Sequence, residues 1–553
     1  MNGAQATVAS LKAEGVDTVF GYPGGAALTL YDALYNSGIT HILARHEQGA
    51  AHAADGYARI TGKVGVCIST SGPGATNLIT GIATANMDSV PMVFFTAQVA
   101  TGLIGKDSFQ EADITGITTP ITKHNFLVKK PQDLMKVIKE AFYIARTGRP
   151  GPVVIDIPKD IFAAKMDFTY PDTINLRGYK PIFAGDKCKV ELMADAIAHA
   201  KRPMLFVGGG VAIAGVSSEL NDFVNKTGIP VTCSLMGLGA FPSRHRLFLG
   251  MLGMHGTFAA NYAVTNCDLL IGIGVRFDDR VTGMVSKFAP HATVVHCDID
   301  PAEINKNIKT NIRVVGHLKW LFSELNPIVT PGEITEWEDQ VLEWKQSKPL
   351  KYEPAEKEIK PQQVIELINE LTDGDAIMVA DTGQHQMWTA QYYAYKQPRS
   401  LITSGGLGTM GFGLPAAIGV QLGCPERMVW TISGDGSIMM NCQEIATAVE
   451  HNLPLKVAIL NNRGLGMVRQ WQRMFYGGRY SGSKHEYALD FARLAEAFGA
   501  KGLRVTDPQE LRPALEEAIS ASGPVFLDIL VAEEEDVLPM VPSGAPINQM
   551  IGG

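Results

Sequence analysis

Two short polar segments in the last third of the sequence have the residue types and the spacing of a metal–phosphate site. Asp435, in the segment GDGS, follows the apolar stretch 428–432, and Asn462, in the segment NN, follows the apolar stretch 456–460. A helix-like stretch connects the two runs, so they predict a βαβ unit whose strand ends lie side by side at the carboxyl edge of a parallel sheet, where such folds bind ligands. One carboxylate, one amide oxygen and the main-chain carbonyl of Gly464 just beyond are hard ligands that suit Mg²⁺ together with phosphate oxygens.

The turn after the first of these strands adds anion-binding groups. Gly436 and Ser437 offer backbone N–H groups at a helix start, where anions are favoured. Alone, GDGS also fits a surface turn, and a pair of asparagines also fits a loop. Placed together at the ends of consecutive strands they predict a diphosphate site, and the pairing resembles the GDG…NN signature of thiamine-diphosphate enzymes.

A second glycine pattern suggests a different cofactor. The segment 406–411 (GLGTMG) matches G-x-G-x-x-G after the apolar stretch 401–403, which would suggest a dinucleotide. The acidic residue expected further on would be Asp435, which the metal site explains better. We therefore reject a nicotinamide site.

The elements that must position these residues repeat along the chain. Apolar, β-branched stretches are each followed by a glycine-rich turn and a helix-like segment, which predicts the α/β class with doubly wound parallel sheets. The stretches are 64–68, 92–95, 153–157, 204–207, 269–273, 293–295, 377–380, 428–432, 456–460 and 525–530. The first and last thirds each carry a glycine-rich turn after such a stretch, a hint of a duplicated scaffold.

Two segments interrupt this rhythm and are predicted to be linkers. Residues 165–185 lack periodicity, and residues 327–361 are charged and flanked by proline. They divide the chain into predicted domains at 1–165, 185–325 and 360–535, followed by a Pro/Gly-rich tail at 536–553. A chain of 553 residues is too long for one hydrophobic core, so several domains are expected.

Composition and charge exclude several classes of protein. A net charge of −8 disfavours a nucleic-acid partner, because phosphate binding needs clustered Lys and Arg. The seven cysteines are scattered without a Cys-x-x-Cys pair, which predicts neither a disulfide framework nor a zinc site. No signal peptide and no membrane-length apolar run is visible. We expect a soluble, cytoplasmic protein.

Thiamine chemistry requires a carboxylic acid at the aminopyrimidine ring, so that the ring's amino group can act as a base. Glu47 is the candidate, because the segment RHEQGAA follows the strand-like stretch 39–43. As an alternative, Glu47 would be a helix-start carboxylate that the helix dipole favours.

Sequence blocks along nearly the whole chain, from Gly21 to the VPSGAP tail at Val541, resemble those of acetohydroxyacid synthase catalytic (large) subunits, in the same order. The blocks are HEQGAAHAADGYAR, TSGPGATNLITGI, QEADITGIT, GRPGPVVIDIPKD, LGMLGMHGT, RFDDRVTG, TGQHQMW, SGGLGTMGFGLPAA, GDGSIMMN and NNRGLGMVRQWQ. The resemblance implies a pyrimidine-binding N-terminal domain, an FAD-binding central domain and a diphosphate-binding third domain. It also implies that Glu47 of one chain faces the metal-diphosphate of another.

The resemblance assigns further thiamine-diphosphate contacts in the third domain. Met410 would be the apolar wedge that bends the cofactor, and the carbonyl of Gly408 would accept a hydrogen bond from the pyrimidine amino group. Outside this family, Met410 would be a core side chain and His385 a satisfied buried histidine. The implied contacts are Gln384, His385, Gly408, Met410, Gly436, Ser437 and Met467.

The RFDDRVTG block separates close relatives, because catabolic acetolactate synthases are expected to lack it and the FAD-containing biosynthetic enzymes to have it. A charge run of this kind otherwise indicates a solvated loop. Since the overall reaction has no net redox change, the implied FAD is structural. The implied flavin contacts are Arg149, Gly208, Gly209, Gly210, Leu252, Gly253, Met254, His255, Gly274, Arg276, Asp278, Arg280, Asp298 and Ile299.

The implied reaction decarboxylates pyruvate and joins the remaining two-carbon unit to a second pyruvate or to 2-oxobutyrate, the first common step of branched-chain amino acid biosynthesis. Arg276 is the candidate clamp for the second carboxylate, since guanidinium binds carboxylate bidentately. Glu47, Gln110 and Lys159 are the implied catalytic residues, and Phe109, Met251 and Trp471 the implied acceptor pocket. In a protein outside this family, Phe109 and Trp471 would be interpreted as core aromatic residues, and Lys159 as a surface lysine.

The family further implies a homodimer or tetramer and a small regulatory subunit. A catabolic acetolactate synthase and a pyruvate oxidase or decarboxylase stay open as alternatives. A glyoxylate carboligase is disfavoured by Glu47, and a non-catalytic binding protein by the presence of Glu47, Asp435 and Asn462.

Some positions depart from the usual family residues, which leaves inhibitor sensitivity and FAD affinity open. The departures are Ala97, Ala100, Lys106, Ser108 and the pair Gly316-His317, where Gly-Asp is common.

Overall fold

The computed structural model describes residues 1–487 and 489–552, and its strands form three six-stranded sheets. Neighbouring strands run parallel in all three. Helices cover both faces, so the central strands are buried on both sides. The predicted α/β class with three parallel sheets is confirmed. We call the sheets with their helices the N-terminal, middle and C-terminal domains.

The N-terminal sheet has the strand order β2-β1-β3-β4-β6-β5. Its strands are β1 (Thr18–Gly21), β2 (Thr40–Leu43), β3 (Gly65–Ser69), β4 (Met92–Gln98), β5 (His124–Leu127) and β6 (Pro152–Pro158). Its helices are α1 (Gly3–Ala13), α2 (Leu28–Leu34), α3 (Glu47–Thr61), α4 (Pro73–Thr76), α5 (Ile79–Asp88), α6 (Ile114–Thr118), α7 (Leu134–Arg146) and α8 (Lys159–Ala163).

The middle sheet has the order β12-β11-β10-β7-β8-β9, which is the strand order of dinucleotide-binding folds, with its switch point between β7 and β10. Its strands are β7 (Pro203–Val207), β8 (Val231–Cys233), β9 (Phe248–Met251), β10 (Leu269–Ile273), β11 (Thr293–Asp298) and β12 (Ile312–Val315). The helices here are α9 (Lys187–His199), α10 (Gly209–Ala214), α11 (Ser217–Thr227), α12 (Phe258–Asn266), α13 (Asp279–Thr282), α14 (Leu318–Ile328) and α15 (Thr335–Ser347).

The C-terminal sheet has the order β14-β13-β15-β16-β18-β17. Its strands are β13 (Ile377–Ala380), β14 (Leu401–Thr403), β15 (Val429–Gly434), β16 (Lys456–Asn461), β17 (Lys501–Val505) and β18 (Val525–Leu530). The helices are α16 (Pro361–Leu371), α17 (Gln384–Tyr392), α18 (Gly413–Gly423), α19 (Asp435–Ile438), α20 (Ile445–Glu450), α21 (Gly466–Phe475), α22 (Phe491–Ala497) and α23 (Pro508–Ser520). If the strands of each sheet are numbered from one to six along the chain, both sheets have the order 2-1-3-4-6-5. The same order in two domains is what a duplicated scaffold would have.

Single turns of 3₁₀ helix connect several of these elements. They are Gly25–Ala27, Thr101–Leu103, Thr119–Ile121, Pro131–Asp133, Leu235–Gly237, Val285–Lys287 and Cys442–Glu444. Across the two described ranges, no helix has both the length and the apolar character that crossing a bilayer requires.

Helices α3 and α18 join the N-terminal and C-terminal domains through a close approach of small residues. A Cβ at Gly419 would lie 1.8 Å from the carbonyl oxygen of Ala53, and a Cβ at Gly56 would lie 2.1 Å from that of Ala416. No side chain fits at either position, because the two backbones are in contact there. The glycines therefore allow the two domains of one chain to pack directly against each other.

The segment predicted as the second linker contains regular structure. Helix α14 runs to Ile328, and α15 follows with Trp337 and Val341 buried. The indole N–H of Trp337 donates to the carbonyl of Pro203, 3.0 Å away. The segment predicted as a linker therefore contains a helix, α15, whose buried side chains anchor it on the middle domain.

The C-terminal tail also packs on the middle domain. The amide of Val541 donates to the carbonyl of Met254 at 2.8 Å, and the side-chain amide of Asn261 donates to the carbonyl of Ile547 at 2.9 Å. By contrast, residues 166–185 contain no helix or strand.

Candidate active site

The predicted metal ligands converge at the carboxyl edge of the C-terminal sheet. Strands β15 and β16 are neighbours, with Gly434 opposite Leu460 in the register. Asp435 begins the short helix after β15, and its Oδ2 accepts a hydrogen bond from the amide of Gly464 at 2.9 Å. Asn462, at the end of β16, is buried like Asp435. The local βαβ prediction that placed these residues side by side is confirmed.

Asp435 has a histidine neighbour at this edge. Burial raises the pKa of Asp435 above its usual value, and His485, whose Nδ1 lies 3.1 Å from Asp435 Oδ2, acts against that rise. Within the two described ranges, no group of three or more His, Cys, Asp or Glu side chains is placed to hold a metal ion. A metal bound by one carboxylate, one amide and one carbonyl would complete its coordination with diphosphate oxygens.

Helix α17 begins at the same edge with Gln384 and His385. The side-chain amide of Gln384 donates to Gln470 Oε1 at 2.8 Å, and its oxygen accepts from Asn462 Nδ2 at 3.1 Å. His385 is buried, which lowers its pKa to about 3 and keeps the ring neutral. Its Nε2 has no hydrogen-bond partner in the described part of the chain. A buried polar atom of this kind is suited to a ligand that supplies the missing partner.

The loop 404–412 lies between β14 and α18 and carries Gly408 and Met410. Gly408 has φ +69°, which favours glycine there. A Cβ at Gly436 would lie 3.6 Å from Met410 Cε, so the two predicted contacts face each other. Asp381, at the end of β13, accepts hydrogen bonds from the amides of Gly411 (2.9 Å) and Gly413 (3.1 Å). This buried carboxylate therefore holds the loop against the end of β13.

Glu47 lies in the N-terminal domain, apart from this edge. It is the first residue of α3, and its side chain is buried, with Oε2 accepting a hydrogen bond from Asn77 Nδ2 at 3.0 Å. The other implied catalytic residues also belong to this domain: Lys159 is exposed at the start of α8, and Gln110 has φ +59°. Phe109 is 89% exposed. Phe109 and Lys159 are therefore accessible at the surface of the chain, whereas Glu47 is buried.

A cavity of about 1460 Å³ lies at the switch point of the middle sheet and extends to the loop 404–412. It brings together most of the residues implied to bind FAD, with several implied substrate and thiamine contacts. Those on its wall are Arg149, Gly209, Gly210, Met251, Leu252, Met254, His255, Gly274, Arg276, Asp278, Arg280, Asp298, Ile299, Gly408, Met410, Met467 and Trp471.

Gly208 and Gly253 do not line the cavity. Each is instead held in close contact with a neighbouring segment of the middle domain. A Cβ at Gly208 would lie 2.0 Å from the carbonyl oxygen of Gly274. Gly253 has φ +108°, and the side chain of Asn261 accepts from its amide at 2.9 Å and donates to its carbonyl at 3.0 Å. These glycines shape the turns behind the cavity.

The cavity is lined by polar groups of both signs. Arg149 pairs with Glu303 at 2.6 Å, and its Nε donates to Ser89 Oγ at 2.8 Å. Burial raises the pKa of Asp298 to about 7 and lowers that of His255 to about 4. The Nδ1 of His255 lacks a hydrogen-bond partner among the described residues. These polar groups lie on a wall that is mostly apolar, which suits a large ligand that has both apolar surface and hydrogen-bonding groups.

Two implied substrate residues already have neighbours at this cavity. Arg276 Nη1 donates to the carbonyl of Met87 at 3.1 Å, and its Nη2 lies 3.9 Å from Asp278 Oδ2. The guanidinium of Arg280 lies 5.9 Å from the ring centre of Trp471. A carboxylate would have to share Arg276 with these contacts.

Three family models match the chain. They describe the N-terminal TPP (thiamine pyrophosphate, that is, diphosphate) binding domain, at residues 1–117, the central domain, at 190–325, and the C-terminal TPP binding domain, at 381–529, of thiamine pyrophosphate enzymes.

Curated relatives match over the full chain. The acetolactate synthase isozyme 3 large subunit of Escherichia coli is 49% identical over 563 residues, which cover 100% of this chain and 98% of that protein. The acetolactate synthase large subunit of Haemophilus influenzae is 50% identical over 561 residues, with 100% and 98% coverage. That of Corynebacterium glutamicum is 49% identical over 557 residues, with 99% and 89% coverage.

The chain belongs to the acetolactate synthase large-subunit family. As a member of this family it is a thiamine-diphosphate-dependent carboligase, and its N-terminal and C-terminal domains bind thiamine diphosphate. The resemblance found in the sequence motifs is thereby confirmed.

The departures from the usual acetolactate synthase pattern lie at two places. Ala97 is buried in β4, Ala100 precedes the 3₁₀ turn that follows, Lys106 is exposed, and Ser108 Oγ donates to the carbonyl of Leu103 at 3.0 Å. Gly316 and His317 lie between β12 and α14, where the amide of Gly316 donates to the carbonyl of Asp298 at 3.0 Å and His317 borders the cavity.

Sequence reasoning missed several residues that organise this acetolactate synthase site. Asp381 directly follows β13 at the switch point of the C-terminal sheet, and its position at a strand end was a usable signal. Glu444 and Asp88 bind backbone amides that are far away in the sequence, at Arg45 and Gly406. No local motif reports such contacts.

Proposed function

We propose that this chain is the catalytic subunit of an acetohydroxyacid synthase, which decarboxylates pyruvate and joins the two-carbon unit to a second 2-oxo acid. Pyruvate as acceptor gives 2-acetolactate, and 2-oxobutyrate gives 2-aceto-2-hydroxybutyrate. The observation that carries the proposal is the convergence of Asp435, Asn462 and Gly464 at one sheet edge, in a chain about half identical to acetolactate synthase large subunits.

The proposed cofactor sites follow the division 1–165, 185–325 and 360–535. Asp435, Asn462 and the Gly464 carbonyl would hold Mg²⁺, and Gln384, His385 and the start of α19 would bind the diphosphate. Bound there, thiamine diphosphate would supply the electron sink for decarboxylation. FAD would occupy the middle cavity, which is supported by the strand order, the cavity size and the unpartnered Nδ1 of His255.

Residues of the chain itself would transfer the proton at the aminopyrimidine ring and bind the substrates. In the proposed dimer, Glu47 of one chain holds a proton at the aminopyrimidine bound by the other, with Asn77 fixing the carboxylate. Trp471 and Met251 provide an apolar wall for the acceptor's alkyl group, and Arg276 binds its carboxylate. Gln110, Phe109 and Lys159 would reach the same site from the N-terminal domain. A small regulatory subunit is a further part of the proposal, since the relatives are large subunits.

Product identification tests this function. The purified protein is incubated with pyruvate, Mg²⁺, thiamine diphosphate and FAD, with and without 2-oxobutyrate, and the products are identified by mass spectrometry. We expect 2-acetolactate in the first reaction and 2-aceto-2-hydroxybutyrate as an additional product in the second. Acetaldehyde or acetate in their place would assign the chain to a decarboxylase or an oxidase of the same fold.

A further inference from the structure

A carboxylate of the C-terminal domain binds the turn that carries Glu47. Glu444 closes the 3₁₀ turn before α20, and its Oε1 accepts hydrogen bonds from the amides of Arg45 (2.9 Å) and His46 (3.1 Å). These two residues directly precede Glu47, the first residue of α3. Glu444 thus connects the C-terminal domain with the backbone segment that directly precedes Glu47.

The fit of Glu444 against this helix start is tight. The side chain is 1% exposed, and its Oε2 accepts a hydrogen bond from Thr447 Oγ1 at 2.8 Å. A Cβ at Gly49, in the first turn of α3, would lie 2.3 Å from Glu444 Oε1. Glycine at this position therefore leaves the room that the carboxylate occupies. Burial raises the pKa of Glu444. The amides of Arg45 and His46 both donate to one oxygen, and this geometry fixes the turn in place.

Glu47 is thereby held from two directions. Asn77 binds its carboxylate, and Glu444 binds the main chain immediately before it. A side chain that must meet a reacting group tolerates little displacement, since an error of about 1 Å costs roughly 100-fold in rate.

We propose that Glu444 is a positioning residue, which sets the location of the Glu47 carboxylate by holding the amides of Arg45 and His46. The proposal rests on the proposed function of Glu47. Glu444 itself touches neither substrate nor cofactor in this assignment.

The reach of the side chain, rather than its charge, is the property to test. Glu444→Gln keeps an acceptor oxygen at the same distance, whereas Glu444→Asp keeps the charge and withdraws it by one methylene. We expect kcat for acetolactate formation to stay within about threefold in the Gln variant and to fall about 10- to 100-fold in the Asp and Ala variants. KM for pyruvate and the Kd for thiamine diphosphate should change by less than about threefold in all three.

Hydrogen exchange of backbone amides in the cofactor-free protein tests the contact without measuring catalysis. The amides of Arg45 and His46 should exchange faster in Glu444→Asp and Glu444→Ala than in the wild type and Glu444→Gln. Glu450→Ala is the matched control, because the exposed carboxylate of Glu450 pairs with the half-buried guanidinium of Arg45 and, among the described residues, accepts no hydrogen bond from the backbone. It should keep both kcat and amide protection.

Two results would overturn the positioning role. One is a Glu444→Asp variant as active as the wild type beside an impaired Glu444→Gln variant, because charge and not reach would then matter. The other is unchanged exchange at Arg45 and His46 in Glu444→Asp. If wild-type protein forms no acetolactate, the proposed function fails, while the exchange experiment still decides whether Glu444 holds the turn. If Glu444→Ala does not fold, the Asp and Gln pair carries the comparison.

Discussion

At the scale of single residues, the candidate metal site depends on one acidic side chain. Asn462 and the Gly464 carbonyl are neutral ligands, so Asp435 supplies the only negative charge among the proposed protein ligands. Hard divalent cations bind oxygen ligands largely through charge. The structure places Asp435 in a buried position, where water cannot replace it easily.

Replacing Asp435 with Ala should therefore abolish magnesium-dependent binding of thiamine diphosphate. Loss of a residue that merely orients a ligand weakens metal binding by about 10- to 100-fold, and loss of the ligand itself should exceed that range. Isothermal titration calorimetry with Mg²⁺ and thiamine diphosphate measures the effect. Asp195→Ala, at a side chain 72% exposed on the middle domain, is the control and should bind as the wild type does. Unchanged affinity in Asp435→Ala would remove this residue from the metal site.

A buried carboxyl group in the N-terminal sheet is expected to make the stability of the protein depend on pH. Asp156 accepts hydrogen bonds from Thr96 Oγ1 (2.7 Å) and Gln98 Nε2 (3.0 Å), and burial raises its pKa to about 7. Because the folded pKa lies above the ordinary value of about 3.9, the stability linked to this proton is complete below about pH 4 and is lost as the pH rises to about 7.

Asp156→Asn removes this titration and keeps the size of the side chain. The melting temperature of the wild type should therefore fall relative to the variant between pH 4 and pH 7, by ~1 °C for each kcal/mol of linked free energy in a chain of this length. Thermal unfolding by circular dichroism over this pH series measures the difference, in which all other titrating groups cancel. Parallel curves for the two proteins would show that Asp156 is ionised throughout.

At the scale of elements, the N-terminal domain holds the loop 404–412 that carries Gly408 and Met410. Asp88, the last residue of α5, accepts hydrogen bonds from the amides of Gly405 (3.1 Å) and Gly406 (2.7 Å). Its Oδ2 also pairs at 2.9 Å with Arg59, which is buried and pairs with Asp55 at 2.5 Å. The loop is thus fixed by a buried ion cluster that belongs to helices α3 and α5.

Asp88→Ala should loosen this loop and lower stability. The change leaves two backbone amides without their acceptor and removes one partner of a buried arginine, which costs about 3–5 kcal/mol. Denaturant unfolding measures the loss, and hydrogen exchange of residues 404–411 should rise at the same time. Lys63→Ala breaks an exposed ion pair with Asp17 and should cost no more than about 1 kcal/mol. Equal effects of the two substitutions would contradict a special role of the cluster.

Local sequence patterns predicted the elements that are buried and continuous. The stretch 428–432 corresponds to β15 (Val429–Gly434), and 269–273 to β10 (Leu269–Ile273), because parallel strands covered on both faces are apolar throughout. The strands β1, β8 and β9, which are buried but only three or four residues long, were not among the predicted stretches. The strands β5, β12 and β17 were missed as well. They lie at or near sheet edges and are partly exposed, so their polar residues hide the pattern.

The site residues were also predictable only where a local sequence pattern encodes their position. Asp435 and Asn462 were placed together because a βαβ unit is a local structure with a fixed geometry. Asp381, Asp88 and Glu444 were not found, since their partners are amides of distant segments that no short motif encodes. The resemblance to a known family, and not the residue pattern, assigned Met410 and Arg149 to the site.

At the scale of the whole molecule, the two halves of the proposed site belong to different domains, with Glu47 in the N-terminal domain and Asp435 in the C-terminal domain. Helices α3 and α18 are packed backbone to backbone, which fixes the N-terminal and C-terminal domains of one chain against each other. Glu47 and Asp435 each have partners within their own domain. A second copy, related by a twofold axis, would bring Glu47 of one chain to Asp435 of the other in two equivalent sites.

Hybrid dimers test this arrangement. Glu47→Gln alone should lower kcat roughly 10²- to 10⁴-fold by removing an acid–base group, and Asp435→Ala alone should be inactive through loss of the cofactor. In a dimer of one chain of each kind, purified through two different affinity tags, one site has both defects and the other has none. Such a hybrid should show about half the wild-type activity, because the two sites of a twofold dimer are equivalent. If each site instead took Glu47 and Asp435 from the same chain, every site of the hybrid would be defective, and an inactive hybrid would overturn the shared site.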